Sequence, residues 1–557
     1  MADSETISKM VLALSDVERP GIISADETLT HAEATRRAAV RGAWLQANRR
    51  PGPFHVAFLL PNALDYLLWL EAAALVGATV VGANSTHRGD ELARDLAHTE
   101  CQLLVTTTEL HGLVDGHHLG DALGHADASS PRLLVVDGPL VDDQLSPHLG
   151  ATAPEVADPA VDPSTLGYLV FTSGTSGAPK AVKCSQGRLA MISGIVHQMF
   201  SLTPDDVCYA AMPLFHSNAL MAGWGPSLAA EATVALPSAG KFSASRFVPD
   251  VRSYGVTFFN YVGKPLSYIL ATPEQEDDAT VPLRLCFGNE AASDDIDRFS
   301  RRFGCTVVEA YGSSEGGAAL SRTPETPKGA LGVAGAETLV LDPETGLECP
   351  RAIFDPSGRL LKSDECIGEL VSKTGGQSFE GYWRNEEAME ARLRNGWYWT
   401  GDLAYRDEAG FFYFAGRDND WVRVDGENFG SAPVERILSR LDGVLIAAVY
   451  AVPDEHVGDQ VMAALELAEG ATFDASTFGS FLAAQEDLGT KWAPKYVRIS
   501  RELPKTATSK VIKKSLRAER WRTNDPVWWR PSSELAYVAL TEEDASRLDE
   551  AVSDRVL

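Results

Sequence analysis

Cysteine, basic charge and uninterrupted apolar runs are all scarce in this chain of 557 residues. Seven cysteines (Cys101, Cys184, Cys208, Cys286, Cys305, Cys349 and Cys366) form an odd set with no CxxC pair and no regular spacing. That excludes a disulfide scaffold, argues against a zinc ribbon and suits a reducing cytosol. Lys and Arg number 49 against 77 Asp and Glu, for a formal charge of −28. A long nucleic acid is therefore a poor partner, because its affinity rests on neutralising phosphates with a basic surface. The opening MADSETISKM lacks the basic region and apolar stretch of a secretory signal, so a cytoplasmic protein is expected. The most apolar stretch, 55–84, is interrupted by Pro61, Asn62, Asp65 and Glu71. It falls short of the ~20 apolar residues a bilayer requires, which leaves only peripheral membrane contact open.

What is present is ordinary globular composition, 45% hydrophobic and 23% charged, in enough chain for about three or four compact units. Apolar runs rich in β-branched or aromatic residues occur at 56–60, 79–82, 102–105, 132–136, 167–171, 256–262, 283–287 and 306–310, with helical patterns between several of them. Ala63 to Leu75 reads as a buried helix. In SDDIDRFSRRFG, Ile296, Phe299 and Phe303 share one helical face and Gly304 supplies a stop. This βαβ grammar predicts an α/β fold with helices on the faces of mostly parallel sheets. Between about Leu331 and Phe414 the texture turns to short strands punctuated by Gly, Pro and Asp, which predicts a β subdomain. A compact α+β pattern follows Gly416. No repeat at a 20–50-residue period is present. The polar loop Arg417-Asp418-Asn419-Asp420 sets the expected border, between a domain of residues 1–418 and one of 419–557.

Four segments carry chemistry. An apolar strand runs into Thr172-Ser173-Gly174-Thr175-Ser176-Gly177-Ala178-Pro179-Lys180, where glycines let backbone N–H groups converge on an anion and Lys180 adds charge. The spacing is not that of a Walker A loop. At another strand end stands Glu309-Ala310-Tyr311-Gly312-Ser313-Ser314-Glu315-Gly316. Tyr311 can stack on a planar base, and Glu315 suits a magnesium ion that bridges phosphates. The same stretch also fits G-x-S-x-G, the elbow of serine hydrolases. The histidine such an enzyme needs later in the chain is confined to His456, in a polar turn. Third come Thr400-Gly401-Asp402 and Gly416-Arg417, a carboxylate for ribose hydroxyls and a cation for ribose or phosphate oxygens. Fourth is Leu503-Pro504-Lys505-Thr506-Ala507-Thr508-Ser509-Lys510, within a local basic patch on an acidic chain.

In this order the four segments resemble the adenylate-forming superfamily of acyl-CoA synthetases, luciferases and peptide-synthetase adenylation domains, from about Phe54 to Leu516. The resemblance implies a large N-terminal domain of two α/β subdomains plus a β subdomain, and a small mobile α+β C-terminal domain. It makes Thr172 to Lys180 the phosphate loop and pairs Thr172 with Glu315 on magnesium. Gly288, Asn289, Glu290 and Tyr311 would line adenine, with Gly312, Ser314 and Gly426 counted in the nucleotide site. Asp402 would hold ribose, Arg417 would anchor ribose or phosphate, and Lys510 matches the catalytic lysine. Ser509 replaces the usual glycine before that lysine, and Asn419 occupies the hinge position where Asp or Lys is customary.

Met212-Pro213-Leu214-Phe215-His216 places His216 where amino-acid-activating members carry an aspartate, and His216 is a candidate gate between acyl pocket and CoA channel. A core histidine bonded to backbone is the plainer alternative. The segments 241–247, 259–263 and 424–428 resemble the long and very-long-chain acyl-CoA synthetases, also called fatty-acid-transport-like, and the C-terminal region resembles actinobacterial ligases of that subgroup. The expected activity is an ATP-dependent, AMP-forming ligation of a long-chain fatty acid to CoA, with Mg2+. A steroid side-chain acid is the alternative substrate, and a G-x-S-x-G serine hydrolase the alternative of a different class. Trp224, Phe258, Phe259, Tyr261 and Tyr268 are expected to line one acyl pocket beside Gly263.

Overall fold

A computed structural model describes residues 5–85, 89–113, 133–139, 141–172, 179–291, 293–356, 358–417, 421–424, 427–454, 458–489, 491–506 and 509–553. The expected sites Ser173, Gly174, Thr175, Ser176, Gly177 and Gly426, the hinge residue Asn419 and His456 lie outside these residues.

The first half of the chain builds a six-stranded sheet in the spatial order Leu133–Val135, Leu103–Thr106, His55–Leu59, Thr79–Gly82, Leu166–Thr172 (β1) and Lys180–Ser185 (β2). Its strands pair in parallel except for β1 with β2, which are antiparallel. His55–Leu59 is buried along its whole length, as expected of a parallel strand covered on both faces. The helix between the first two strands, Leu64–Val76, is buried nearly all round and stops at Gly77 with φ +67°.

A second sheet of eight strands includes, as neighbours, Phe258–Val262 (β3), Leu285–Asn289 (β4) and Thr306–Tyr311 (β5), all parallel. Helix Ser293–Phe303 (α1) connects β4 to β5 and, of the three residues its periodicity singled out, buries Phe299 and Phe303 and leaves Ile296 partly buried. The texture change after Leu331 corresponds to an antiparallel sheet. In it Trp397–Arg406 (β6) pairs with Gly368–Ser372 and with Phe412–Arg417 (β7). The α+β pattern beyond becomes a mixed seven-stranded sheet, with Val444–Asp454, Gly458–Leu467 and Tyr496–Ser500 adjacent. Element ends move by one or two residues from the sequence reading, because ladder hydrogen bonds, not apolar runs, set where a strand stops.

The parallel strands β3, β4 and β5 end together, at Val262, Asn289 and Tyr311. In open α/β sheets the crevice beyond the carboxyl ends is where ligands bind. Close packing just inside that edge fixes the strand spacing. The Tyr261 ring lies over Gly288 so closely that a Cβ there would come within 2.3 Å of the ring. Gly288→Ala is therefore expected to lower stability by about 1–3 kcal/mol through overpacking. Urea unfolding followed by fluorescence measures it, and an unchanged midpoint would contradict the close approach.

Candidate active site

Glu290 follows β4 directly and adopts φ +71°, a left-handed conformation rarely taken by a residue with a Cβ. Its carboxylate accepts from the Lys510 ammonium, Nζ to Oε1 2.7 Å. Lys510 comes from a turn far along the chain, closed by a bridge between Lys505 and Val511 and by Thr506 N–H donating to the Lys510 carbonyl at 2.8 Å. Ser509, just before it, sits at φ +62°. Glycine takes that region without a Cβ clash, so the serine stores roughly 1–2 kcal/mol of strain beside Lys510. Burial alone would raise the Glu290 carboxyl, but Lys510, with help from Arg417 and Lys264, holds it below its usual range. With 47% of the Glu290 side chain open to solvent, the pair positions Lys510 more than it stabilises the fold.

Tyr311, at the end of β5, donates its hydroxyl to Asp402 Oδ2 at 2.5 Å. Asp402 on β6 faces Arg417 on β7 in register, with Arg417 Nε 3.7 Å from Oδ1. Burial raises the Asp402 carboxyl, opposed by Arg417 and the Tyr311 hydroxyl. The turn before Asp402 is fixed by Thr400 Oγ1 donating to the Leu370 carbonyl (2.8 Å) and Gly401 N–H donating to Glu369 Oε1 (2.6 Å). Tyr311 of the second segment and Asp402 and Arg417 of the third thus form one cluster.

Thr172 and Lys180 are cross-strand partners, at the end of β1 and the start of β2. Glu315 is buried and accepts from the Tyr382 hydroxyl at 3.0 Å. The Lys180 ammonium is lowered by burial and then by the nearby Arg392 guanidinium, while Glu315 opposes both. Gly288 is roofed by Tyr261, and the Asn289 amide donates to the Ala310 carbonyl, so of the expected trio Glu290 alone reaches Lys510. Gly312 lies open, with no neighbouring atoms where a Cβ would stand.

His216 caps the short helix Ser217–Ala219, its Nδ1 accepting from Asn218 N–H at 3.3 Å, which leaves the proton on Nε2. Burial, then Lys510, brings its imidazole down to about 4, so the ring is neutral at physiological pH. Ser314 Oγ is hydrogen-bonded to Ser217 Oγ at 2.6 Å and its carbonyl accepts from Arg188 at 2.7 Å. That hydroxyl meets another hydroxyl, not the imidazole a nucleophile elbow requires.

The single aromatic pocket is not formed. Strand alternation sends Phe258 against Phe200, while Phe259 packs on Phe247 and Tyr261 on the opposite face. Trp224 packs beside Tyr168 in the main core, and Tyr268 lies under Lys505, 5.1 Å from ring centroid to ammonium. The sequence reading also missed Arg392 and Tyr382, and gave no role to Glu309 although it opens the second segment. No motif flags Arg392 or Tyr382; they enter through helix Glu386–Arg392 (α2), which packs on β6, and through the pairing of Tyr382 with Val182, while Glu309 gains its role by bonding to Tyr261.

A family model described as "AMP-binding enzyme" matches residues 13–383, and one described as "AMP-binding enzyme C-terminal domain" matches residues 433–510. The chain is 48% identical over 547 residues to steroid-22-oyl-CoA synthetase of Rhodococcus jostii, covering 98% of this chain and 97% of that protein. It is 47% identical over 524 residues to a medium/long-chain-fatty-acid–CoA ligase of Mycobacterium tuberculosis, covering 94% and 98%. ATP-bound MatB from Rhodopseudomonas palustris superposes with a TM-score of 0.77 at 25% identity, over 92% of this chain and 98% of that one.

Beneath the site, Glu309 Oε1 accepts from both Tyr261 OH (2.7 Å) and Ala291 N–H (3.0 Å), and burial pushes its carboxyl up to about 7. The folded state therefore holds a proton that the unfolded state releases near its ordinary value of 4.5, and stability falls as pH rises from there through 7. Glu309→Gln keeps the acceptor and removes the titration. Its melting temperature relative to the parent is expected to be higher at pH 8 than at pH 5, and a pH-independent difference would contradict this.

Proposed function

The chain belongs to the AMP-binding enzyme family, and from that premise we propose that it is an ATP-dependent acyl-CoA ligase working through an acyl adenylate. The observation that carries the proposal is Lys510, which a turn of the C-terminal sheet delivers to Glu290 at the strand ends, in the same crevice as Tyr311, Asp402 and Arg417. In the first half-reaction a substrate carboxylate oxygen attacks the α-phosphorus of ATP, and the bond to pyrophosphate breaks. Negative charge shifts onto phosphate oxygens, and Lys510 stabilises it electrostatically. Asp402, backed by Arg417 and Tyr311, is suited to accept the ribose hydroxyls. Residues 172–180 are assigned to the phosphates, with Lys180 as their charge.

Glu315 and the Thr172 hydroxyl fit Mg2+, which takes one or two protein oxygens and fills its shell from water and phosphate. Glu315 is buried, with one oxygen on Tyr382. Held by these two residues, the ion would supply positive charge against the negative charge of the phosphates. In the second half-reaction the CoA thiol displaces AMP from the adenylate. The two half-reactions need different groups over the same atoms, which supports a division at about residues 418/419 into a fixed N-terminal and a mobile C-terminal domain. The neutral His216, bonded to its own helix start, is compatible with a gate on the thiol's path. The assignment extends to a cytoplasmic location. The seven cysteines are buried free thiols, and no described helix is long and apolar enough to cross a membrane.

For the acid, we favour a long-chain fatty acid, supported by the 47% identity to the medium/long-chain-fatty-acid–CoA ligase of Mycobacterium tuberculosis. A steroid side-chain carboxylate is the second reading, supported by the 48% identity to the steroid-22-oyl-CoA synthetase. A comparison of kcat/KM across acetate, octanoate, palmitate and a steroid side-chain acid decides between them. Acetate matching palmitate would overturn both.

Lys510→Ala is expected to lose ~10²-fold or more in adenylation, measured as pyrophosphate release. Thioester formation from supplied acyl adenylate should persist, and equal loss of both steps would contradict the assignment. Ser314→Ala should be mild and Glu315→Ala severe. The reverse order, with esterase activity in the parent, would favour a hydrolase.

A further inference from the structure

Arg392 stands at the end of α2, a helix fastened to the flank of the phosphate loop. The Asn385 side chain caps α2 by accepting from Ala388 N–H, and donates to the Pro179 carbonyl at 3.2 Å, one residue before Lys180. The preceding segment runs along β2, with Lys183 N–H donating to the Gly381 carbonyl (2.9 Å) and Trp383 N–H to the Ala181 carbonyl (2.8 Å). A short hairpin, Leu393–Arg394 against Trp397–Tyr398, then folds the chain back. The guanidinium thereby comes to lie over the turn that carries Asp402. Gly401 has φ +70°, and a Cβ there would stand 2.2 Å from Arg392 Nη1.

The guanidinium is short of partners. Nη1 donates to the Trp399 carbonyl at 3.3 Å, and the Tyr382 phenol interacts with it. Among the described residues no carboxylate forms an ion pair with it. Glu315 and Asp402 lie close enough to act on it electrostatically, but neither takes its N–H donors, and an arginine has five of these in a planar fork matched to phosphate. A second cation, Lys180, lies near enough to feel its charge, and an anionic ligand would be shared by the two.

We propose that Arg392 is a binding residue for the β- and γ-phosphates of ATP, and hence for the departing pyrophosphate, completing a pocket with Lys180 at the exit of the phosphate loop. The proposal rests on the adenylation reading above. As the carboxylate–phosphorus bond forms and the bond to the bridging oxygen breaks, the electron pair passes to pyrophosphate, and Arg392 donates hydrogen bonds to its oxygens. No further reactant is required. The site discriminates phosphate from nucleoside, because Asp402 and Tyr311 hold the other end of the nucleotide.

The test is calorimetric titration of the full-length protein with pyrophosphate and separately with AMP, for the parent, Arg392→Gln and Arg392→Lys, alongside the two half-reactions. Arg392→Gln is expected to weaken pyrophosphate binding by about tenfold or more, the usual loss of charge-assisted hydrogen bonds, and to raise KM for ATP comparably. AMP binding and thioester formation from supplied acyl adenylate should stay within about twofold. Arg392→Lys, which keeps the charge and the fold but not the fork, should fall between. Unchanged pyrophosphate binding in Arg392→Gln, or in Arg392→Lys where Gln does not fold, would overturn the proposal. So would equal loss of AMP and pyrophosphate, which marks a general structural defect. A parent protein that binds both but releases no pyrophosphate with any acid would instead overturn the ligase reading.

Discussion

An ion pair, Lys510 to Glu290 at 2.7 Å, brings a turn of the C-terminal region to the strand ends of the N-terminal region. The geometry of the site depends on that meeting. Lys510 is far from every other site residue in sequence, and nothing local dictates where its ammonium should rest. Glu290, in a left-handed conformation at the end of β4, turns its carboxylate to meet it. Both side chains are partly exposed, so water screens the pair and it holds the lysine in place without contributing much to stability.

Around this contact the electrostatics run against the molecule as a whole. The chain carries −28, yet Lys180, Arg392, Arg417 and Lys510 converge on one crevice with Glu290, Glu315 and Asp402. Each carboxylate there is engaged by a cation or a phenol, while among the described residues the Arg392 donors meet a carbonyl and a phenol, with Glu315 and Asp402 acting on it through space. A polyanionic nucleotide is the ligand class such a crevice can concentrate from solution, since the negative remainder of the surface repels it elsewhere. Desolvation lowers the His216 imidazole and raises the Glu309 carboxyl in the same region, so both favour their neutral forms.

Several expectations failed for one common reason. Phe258 and Phe259 are neighbours in sequence, but a strand sends them to opposite faces, so they serve separate cores. Tyr268 was grouped with them by proximity in the chain and packs instead beneath Lys505, a residue of the C-terminal region. Ser314 fits a hydrolase pattern letter by letter, yet its hydroxyl is matched with Ser217. Short patterns constrain the backbone well and side-chain company poorly.

Residue order alone determined the strand–helix alternation, the β subdomain after Leu331, the helix that buries Phe299 and Phe303, and the identities of Thr172, Lys180, Glu315, Tyr311, Asp402, Arg417 and Lys510 as candidates. Periodicity and turn chemistry are local, and a sequence displays local information directly. Only the tertiary structure decided that Tyr311, Asp402 and Arg417 are one cluster, that Lys510 rests on Glu290, and that Arg392 lies over Gly401. Those facts follow from which strands pair and how a helix is tethered to a distant loop. Such long-range packing leaves no periodic trace in the chain, because any compatible residue at either end would satisfy it.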